Sequence, residues 1–477
     1  MADRSGTIFW FRQDLRLRDN PALQRAIARG GPVLPVYVLD DDTPGAWKLG
    51  GAQRWWLHHS LQALSRDLHA LGSRLILRRG PADRVIKQLV AQTGAAAVAW
   101  NRLYEPFAIE RDTTLKADLK NQGIEVISDN GALLFEPWTV ETGSGGFYKV
   151  YTPFWRAVND LEAPAKPLAK PAKLEPWTEA VEGDALEDWR LLPTRPDWAG
   201  GLRATWQPGE AAALDRLETF IEADVRDYHE DRDRPDLDRT SRLSLHLHFG
   251  ELSPRSAWHA ATGNGKGRET FRKELVWREF SYHILYHQPQ LPEQPLRGEF
   301  ADFPWLEDAD ALKAWQFGRT GYPIVDAAMR QLRRTGWMHN RLRMVVGSFL
   351  VKNLRLHWHH GEAWFWDNLV DADLASNSAS WQWIAGCGAD AAPYFRVFNP
   401  VLQGEKFDPR GAFVRQYVPE IAGLPDKLIH KPFDASKSER DDAGLRLGTS
   451  YPWPIVDAKQ SRKDALAAFE TIKKKAS

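Results

Sequence analysis

Over its first 130 or so residues the chain alternates short apolar runs with amphipathic helical patterns, and further along the short apolar runs stop. No other feature limits the fold so strongly. Thr7–Phe11 (TIFWF) and Pro32–Asp40 (PVLPVYVLD) read as buried strands. Leu57, Leu61, Leu64, Leu68 and Leu71 then line one helical face. RLILRRG reads as a strand, PADRVIKQLVAQTG as a helix with Pro at its start and Gly at its stop. AAAVAWN and IEVISDN repeat the strand signal around another helix. Strict β/α alternation predicts a doubly wound parallel sheet. Such sheets bind ligands at the carboxyl ends of their strands. Yet neither G-x-G-x-x-G after the first strand nor G-x-x-x-x-G-K-[ST] anywhere is present, so the main nucleotide site need not lie here.

From Glu162 to Pro208 the texture changes. Pro164, Pro167, Pro171, Pro176, Pro193, Pro196 and Pro208 interrupt any periodic pattern. Beyond them long helical patterns run to about Phe469, and the final KKKAS is expected to fray. The division read from the sequence is an α/β domain over 1–135, a connector over 136–208 and an all-helical domain over 209–477.

Composition excludes several classes of function. The single cysteine, Cys387, rules out an intrachain disulfide framework, an all-cysteine zinc site and a four-cysteine iron–sulfur cluster. The start, MADRSGTIFW, has no apolar signal core, and no apolar run approaches a membrane span, so a cytoplasmic protein without a membrane partner is expected. Lys plus Arg equals Asp plus Glu at 63 each, so only local charge can identify partners. The anomaly is 22 Trp against 11 Tyr.

Four stretches could carry chemistry. In FRKELVWREFSYHILYH, Glu274, Trp277 and Arg278 share one helical face. They read either as a Glu274–Arg278 salt bridge beside a half-buried Trp, or as a carboxylate and a flat aromatic meeting a planar polar ligand. DAAMRQLRRTGWMHNRLRMVVGSFLVKNLR carries seven basic residues against one acid, Asp326, and Thr335-Gly336 should break it into two helices. It is either a solvated face or a phosphate contact with Trp337, His339 and Asn340 interleaved. Thr240, Ser241, Arg242 and Ser244 precede a helical pattern, which suits a phosphate cradle or an ordinary cap. Asp371 and Asp373 could bond sugar hydroxyls or a ring N–H, or serve as turn residues. HWHHGE (His357–Glu362) fits no metal-ligand spacing, and no metal is expected.

FWFRQDLRLRDNPAL, TGYPIVDAAMRQLRRTGWMHNRLRM, WQWIAGCGADAAPYFRVFNP and GEKFDP together resemble the signature blocks of the photolyase/cryptochrome flavoproteins, in the right order and across nearly the whole chain. The resemblance implies an α/β antenna domain, a connector and a helical domain that holds FAD. Tyr228, Thr240, Ser241, Leu243 and Ser244 would hold its phosphates and ribityl chain. Arg278, Arg343, Asp371 and Asp373 would surround the flavin, and Asn377 would face its redox-active ring nitrogen. The implied reaction is electron donation from light-excited reduced FAD to a pyrimidine dimer in DNA. Glu274, Trp277, Asn340, Met344 and Trp383 would contact the lesion; Arg226, Arg232, Arg341 and Lys406 are looser candidates for the DNA backbone. Trp381, Trp358 and Trp305 match the family's electron relay for photoreduction.

Within the family, Met344 together with Glu274, Trp277 and Trp383 resembles the class I cyclobutane pyrimidine dimer branch rather than the (6-4) photolyases. The lone cysteine argues against the iron–sulfur branch, and the short tail against a signalling cryptochrome. The resemblance also implies a second, light-harvesting chromophore near WNRLYEP (Trp100–Pro106), without deciding between a folate, a deazaflavin, another flavin or an empty pocket. A monomer is expected.

Overall fold

In the computed structural model, which describes residues 6–391 and 396–476, five of those apolar runs pair as one parallel sheet. Strands β1 (Thr7–Phe11), β2 (Val33–Leu39), β3 (Ile76–Arg79), β4 (Ala97–Asn101) and β5 (Glu125–Asp129) lie in the order β3-β2-β1-β4-β5. Thr7 of β1 stands opposite Val33 on one side and Ala97 on the other. Every residue of β1, β2 and β4 is buried, as expected for parallel strands covered on both faces, while the edge strands β3 and β5 are partly exposed.

Local signals set the helices. Asn20 caps α1 (Pro21–Ala28), accepting the Leu23 N–H at 3.2 Å, with Pro21 in the first turn. Helix α2 (Gly51–Ala70) buries Leu57, Leu61, Leu64 and Leu68. Helix α3 (Ala82–Thr93) stops at Gly94, whose φ of 62° is left-handed, and α4 (Pro106–Asn121) opens on proline. Ile8, Trp10, Leu34, Val36, Val38, Val98 and Trp100 form one core with Ile86 and Leu89 of α3 and Leu115 and Leu119 of α4. The alternate residues Phe9 and Phe11 are buried on the opposite face.

The chain after β1 closes the sheet's carboxyl edge with bonds of its own. Asn101 Nδ2 donates to Asp14 (2.5 Å) and Asn20 (2.7 Å). Buried Arg16 donates to the carbonyls of Asp19 (2.8 Å), Gly131 (2.6 Å) and Gly250 (2.8 Å). These bonds give partners to Asp14 and Arg16, two buried charges of the FWFRQDLRLRDN block.

The chain forms two compact units, which do not follow the linear division by element type. The first comprises Met1–Arg226, Ser241–Pro289 and Val370–Ala375. The second comprises Asp227–Thr240, Gln290–Leu369 and Ser376–Ser477. Glu251 shows why helical residues join the sheet's unit. Fully buried, it accepts the Trp56 indole N–H (3.1 Å) and the Gly209 N–H (2.7 Å) and pairs with His246 (2.5 Å). The proline-rich connector carries its own helix, α5 (Tyr151–Asp160); from 161 to 185 its only regular pairing is the isolated Val33–Pro176 bridge.

The described residues after β5 form no strand. Gly336, at φ 65°, ends the Pro323–Thr335 helix, and Asn340–Ser348 follows. The acid of the basic run, Asp326, is fully buried as an acceptor for Thr320 N–H and O–H (both 2.7 Å), Gly321 N–H (3.1 Å) and Tyr451 O–H (2.5 Å). Ala458–Ala476 is one helix, docked by buried Ala465, Phe469 and Ile472. No helix among the described residues is long and apolar enough to cross a membrane.

Candidate functional site

In the first unit, Glu274, Trp277 and Arg278 sit on the Lys266–His287 helix and are each partly exposed. The ion pair of Arg278 is not with Glu274, the partner suggested by i,i+4 spacing. Arg278 pairs with Glu279 (3.2 Å), donates to the Ala132 carbonyl (2.9 Å) and lies 5.0 Å over the Tyr282 ring. Glu279 is itself anchored, because it also accepts the Leu134 (2.8 Å) and Phe135 (3.2 Å) N–H groups. Burial pushes it up to about 7 against the pull of Arg278 and those amides.

Asp371 and Asp373 are both buried. Asp373 accepts the Tyr282 hydroxyl, and His248 lies 4.0 Å away. Burial alone would raise Asp373, but the His248 contact, the Arg278 charge and the Tyr282 hydrogen bond outweigh it and hold the carboxyl well below its usual range. The same dry surroundings raise Tyr282, and burial with the Asp373 charge raises Glu105. One indole face of Trp277 is covered by Tyr151 of α5, with centroids 3.6 Å apart and planes 5° off parallel.

Ser241, Leu243 and Ser244 follow one another into the short Ser244–His248 helix. Arg242 between them has φ 49°, a rare value for a side-chain-bearing residue, and Leu243 returns to the right-handed region. Left- and right-handed residues in succession turn their N–H groups inward as an anion-binding nest. Arg216 Nε, bonded to the Ser241 carbonyl at 2.9 Å, holds this turn. Thr240, next in the chain, belongs to the second unit.

The second unit carries the rest. Asn377 lies on the Leu374–Ala385 helix and is buried; its Nδ2 donates to the Glu362 carbonyl at 3.1 Å, which leaves its amide oxygen as an acceptor. Ser378 donates to the Glu362 carboxyl at 2.6 Å. Burial pushes that carboxyl up to about 8, and the serine only partly offsets it. Trp381 is 3 % exposed, T-shaped to Trp315 (6.2 Å) and Phe365 (5.0 Å). Its ring lies against the backbone of Gly361, where an added Cβ would come 2.0 Å from Cη2. Trp383 is two residues on, so about 200° around the helix, and half-buried. Gln382, between them, is fully buried as a clamp. Its Nε2 donates to the carbonyls of Leu291 (2.6 Å) and Gln294 (2.7 Å), and its Oε1 accepts the Leu296 N–H (2.8 Å).

Trp358 is buried and Trp305 half-buried. The imidazoles of HWHHGE pack on them: His357 is 5.1 Å from the Trp305 ring and 5.6 Å from Trp358, and His359 is 3.9 Å from Trp358. Burial and the neighbouring His359 and His360 push His357 down to about 4, so it is neutral in ordinary buffers. Asn340 is exposed at the start of Asn340–Ser348, and Met344 lies one turn on. Arg343 donates to the Met338 carbonyl (2.8 Å), and buried Tyr228 lies 5.7 Å under Arg232. Arg341, read as a candidate for phosphate, pairs with Asp233 at 2.6 Å over the Phe407 ring. Ala392 to Phe395 of the WQWIAGCGADAAPYFRVFNP block lie outside the described residues.

Sequence reasoning passed over Tyr151, Glu279, Tyr282, His248, Glu362 and Gln382. Tyr282 was reachable, four residues after Arg278 on one helical face; the others carry no local signal.

The residues of each unit fit a flavin dinucleotide by their chemistry. The nest suits a phosphate, Asp371 and Asp373 suit a ring or ribityl hydrogen, Arg278 suits a carbonyl, and the oriented amide of Asn377 can accept from a ring N–H.

Comparisons with known proteins agree. Residues 271–471 match a family model described as the FAD binding domain of DNA photolyase, and residues 7–172 match one described as DNA photolyase. The chain is 51% identical to a deoxyribodipyrimidine photo-lyase of Agrobacterium fabrum, over 98% of each. It is 40% identical to cryptochrome-1 of Arabidopsis thaliana, over 97% of this chain and 70% of that protein. The crystal structure of a bacterial class III photolyase from Agrobacterium tumefaciens superposes with a TM-score of 0.96 at 50% identity, covering 99% of both chains. An archaeal photolyase from Sulfolobus tokodaii, solved with two FAD molecules, superposes with a TM-score of 0.83 at 30% identity, over 98% of this chain and 100% of that one.

Proposed function

The chain belongs to the photolyase/cryptochrome family, and we propose that it is a deoxyribodipyrimidine photo-lyase that repairs cyclobutane pyrimidine dimers in DNA under light. The observation that carries this reading is the 51% identity to a protein of that name over 98% of both chains. Reduced FAD, when bound and excited, would supply the electron that opens the dimer's cyclobutane ring and would take it back once the ring has split. The similarity to a bacterial class III photolyase, at a TM-score of 0.96 and 50% identity, supports that subclass in place of the class I branch suggested by the motifs.

The chain's own residues have the following proposed roles. The turn at Thr240–Ser244, with Tyr228, holds the phosphates. Arg278, Arg343, Asp371 and Asp373 orient the ring system, and Asn377, aimed by its bond to the Glu362 carbonyl, sets the hydrogen bonding at the redox-active nitrogen. Glu274 binds the lesion's polar edge, Trp277 and Trp383 stack on its bases, and Asn340 and Met344 complete the contact. A dimer pairs poorly, so drawing it out of the duplex costs less than drawing out a normal step. For photoreduction, Trp381 would pass one electron to the excited oxidised flavin, Trp358 would refill Trp381, and Trp305 would refill Trp358. The vacancy thus ends on a half-exposed indole. A second chromophore is part of the proposal, its chemical class left to its spectrum. The division at 135 and 208 separates the part that would carry it from the part that binds FAD.

A cryptochrome without repair is the second reading, favoured by the 40% identity to cryptochrome-1 of Arabidopsis. Illuminating the reduced protein with defined cyclobutane and (6-4) lesions, in separate strands, decides between them. Repair of the cyclobutane lesion alone is expected. Repair of neither would favour the photosensor, and repair of the (6-4) lesion alone would change the substrate.

A further inference from the structure

The connector is pinned along one stripe of the Lys266–His287 helix. His283 Nδ1 donates to the Pro137 carbonyl (3.2 Å), so its Nε2 can accept the Tyr148 N–H (3.0 Å). Phe147 stacks on His287 with centroids 4.9 Å apart, and Phe154 packs on Phe280 (5.3 Å) and His283 (4.9 Å). Tyr151 lies flat on Trp277 at 3.6 Å, and its hydroxyl donates to the Lys273 carbonyl at 2.7 Å. Helix positions 273, 277, 280, 283 and 287 recur three or four apart, so the strap follows a single face. Phe280 meets Trp277 edge-on at 5.8 Å. The indole is therefore backed on one face and bounded by an aromatic edge, while part of its surface remains exposed.

We infer that Tyr151 is a positioning residue for lesion binding: it fixes the plane of Trp277, so that a flipped-out base meets an immobile aromatic surface. The inference rests on the proposed contact between Trp277 and the lesion. A base stacks on an aromatic side chain only where the two ring faces can meet. An indole already locked in one rotamer loses no side-chain freedom when the base arrives, which is how preorganisation raises affinity. Tyr151 touches neither the base nor the cofactor in this scheme, and acts through Trp277.

The test is the affinity of the flavin-loaded protein for DNA with one cyclobutane dimer, measured in the dark by fluorescence anisotropy. Trp277→Ala should weaken binding by about 5- to 150-fold, the span of one base–aromatic stack. Tyr151→Ala and Tyr151→Leu should each lose a large part of that factor, and Tyr151→Phe should keep it. Tyr151→Ala added to Trp277→Ala should cost no further affinity. Binding of undamaged DNA and photoreduction of the flavin should not change, and both would fall in a variant that was merely unfolded. The leucine variant, which preserves apolar bulk, covers the case in which alanine does not fold. If Trp277→Ala binds the lesion normally, the underlying contact is wrong. If it binds weakly while the Tyr151 variants bind normally, or the two losses multiply, Trp277 is a contact but Tyr151 does not position it.

Discussion

Trp277 in the first unit and Trp381 in the second sit on long helices in opposite settings. Trp277 is half-buried, one ring face on Tyr151, and keeps surface for a partner. Trp381 is 3 % exposed, lodged over Gly361 and edged by Trp315 and Phe365. The first setting suits stacking on something that arrives, and the second suits passing charge within a dry interior. Two buried acids differ in their partners in the same way. Glu279 has Arg278 and two backbone N–H groups, Glu362 a single serine donor, and in both of them burial outweighs the partners and raises the carboxyl.

Three experiments press on that comparison. The largest effect is expected from Trp381→Phe, which should cut photoreduction to background while sparing lesion binding and repair by chemically reduced protein. Transient absorption and a repair assay measure the two, and unchanged photoreduction would remove Trp381 from the relay. Next is Gly361→Ala. A Cβ 2.0 Å from the Trp381 ring forces the indole to move, at a cost of about 1–3 kcal/mol in urea unfolding. Photoreduction should slow with it, while lesion affinity through Trp277 holds; equal stability would mean that the ring is not seated there.

The smallest effect appears only as a pH slope. Folded, Glu362 keeps its proton to about pH 8, whereas unfolded it releases it near the ordinary 4.5. The native state therefore binds the extra proton across that window, and stability falls as pH rises through it. Glu362→Gln cannot ionise and should show a shallower loss between pH 5 and 8, the remainder carried by Glu279 and by Asp408, which burial lifts to about 6. Parallel profiles for the two proteins would exclude the protonated acid.

Much of the fold was legible because its signals are local. Each central strand is covered on both faces and so reads as an unbroken apolar run, and Asn20, Pro21, Gly94 and Gly336 mark helix ends by backbone chemistry alone. Ion-pair choice was less legible. Spacing favoured Glu274 for Arg278, but a competing acid held by Leu134 and Phe135, more than a hundred residues away, takes the guanidinium. Gln382 carried no local signal, because the carbonyls it clasps belong to residues 291 and 294. How far the last helix docks was less legible, because the burial of Phe469 and Ile472 depends on a surface elsewhere in the chain.

By itself, then, the sequence determined the α/β-then-helical order, the family and the identity of the residues to watch, since periodicity, caps and motif spacing act over a few neighbouring residues. Tertiary structure alone decided which of those residues are dry, paired or free to move: that Tyr151 backs Trp277, that Gly361 seats Trp381 and that Glu362 keeps a proton. Desolvation and stacking depend on atoms brought together from distant parts of the chain, and no local pattern specifies them.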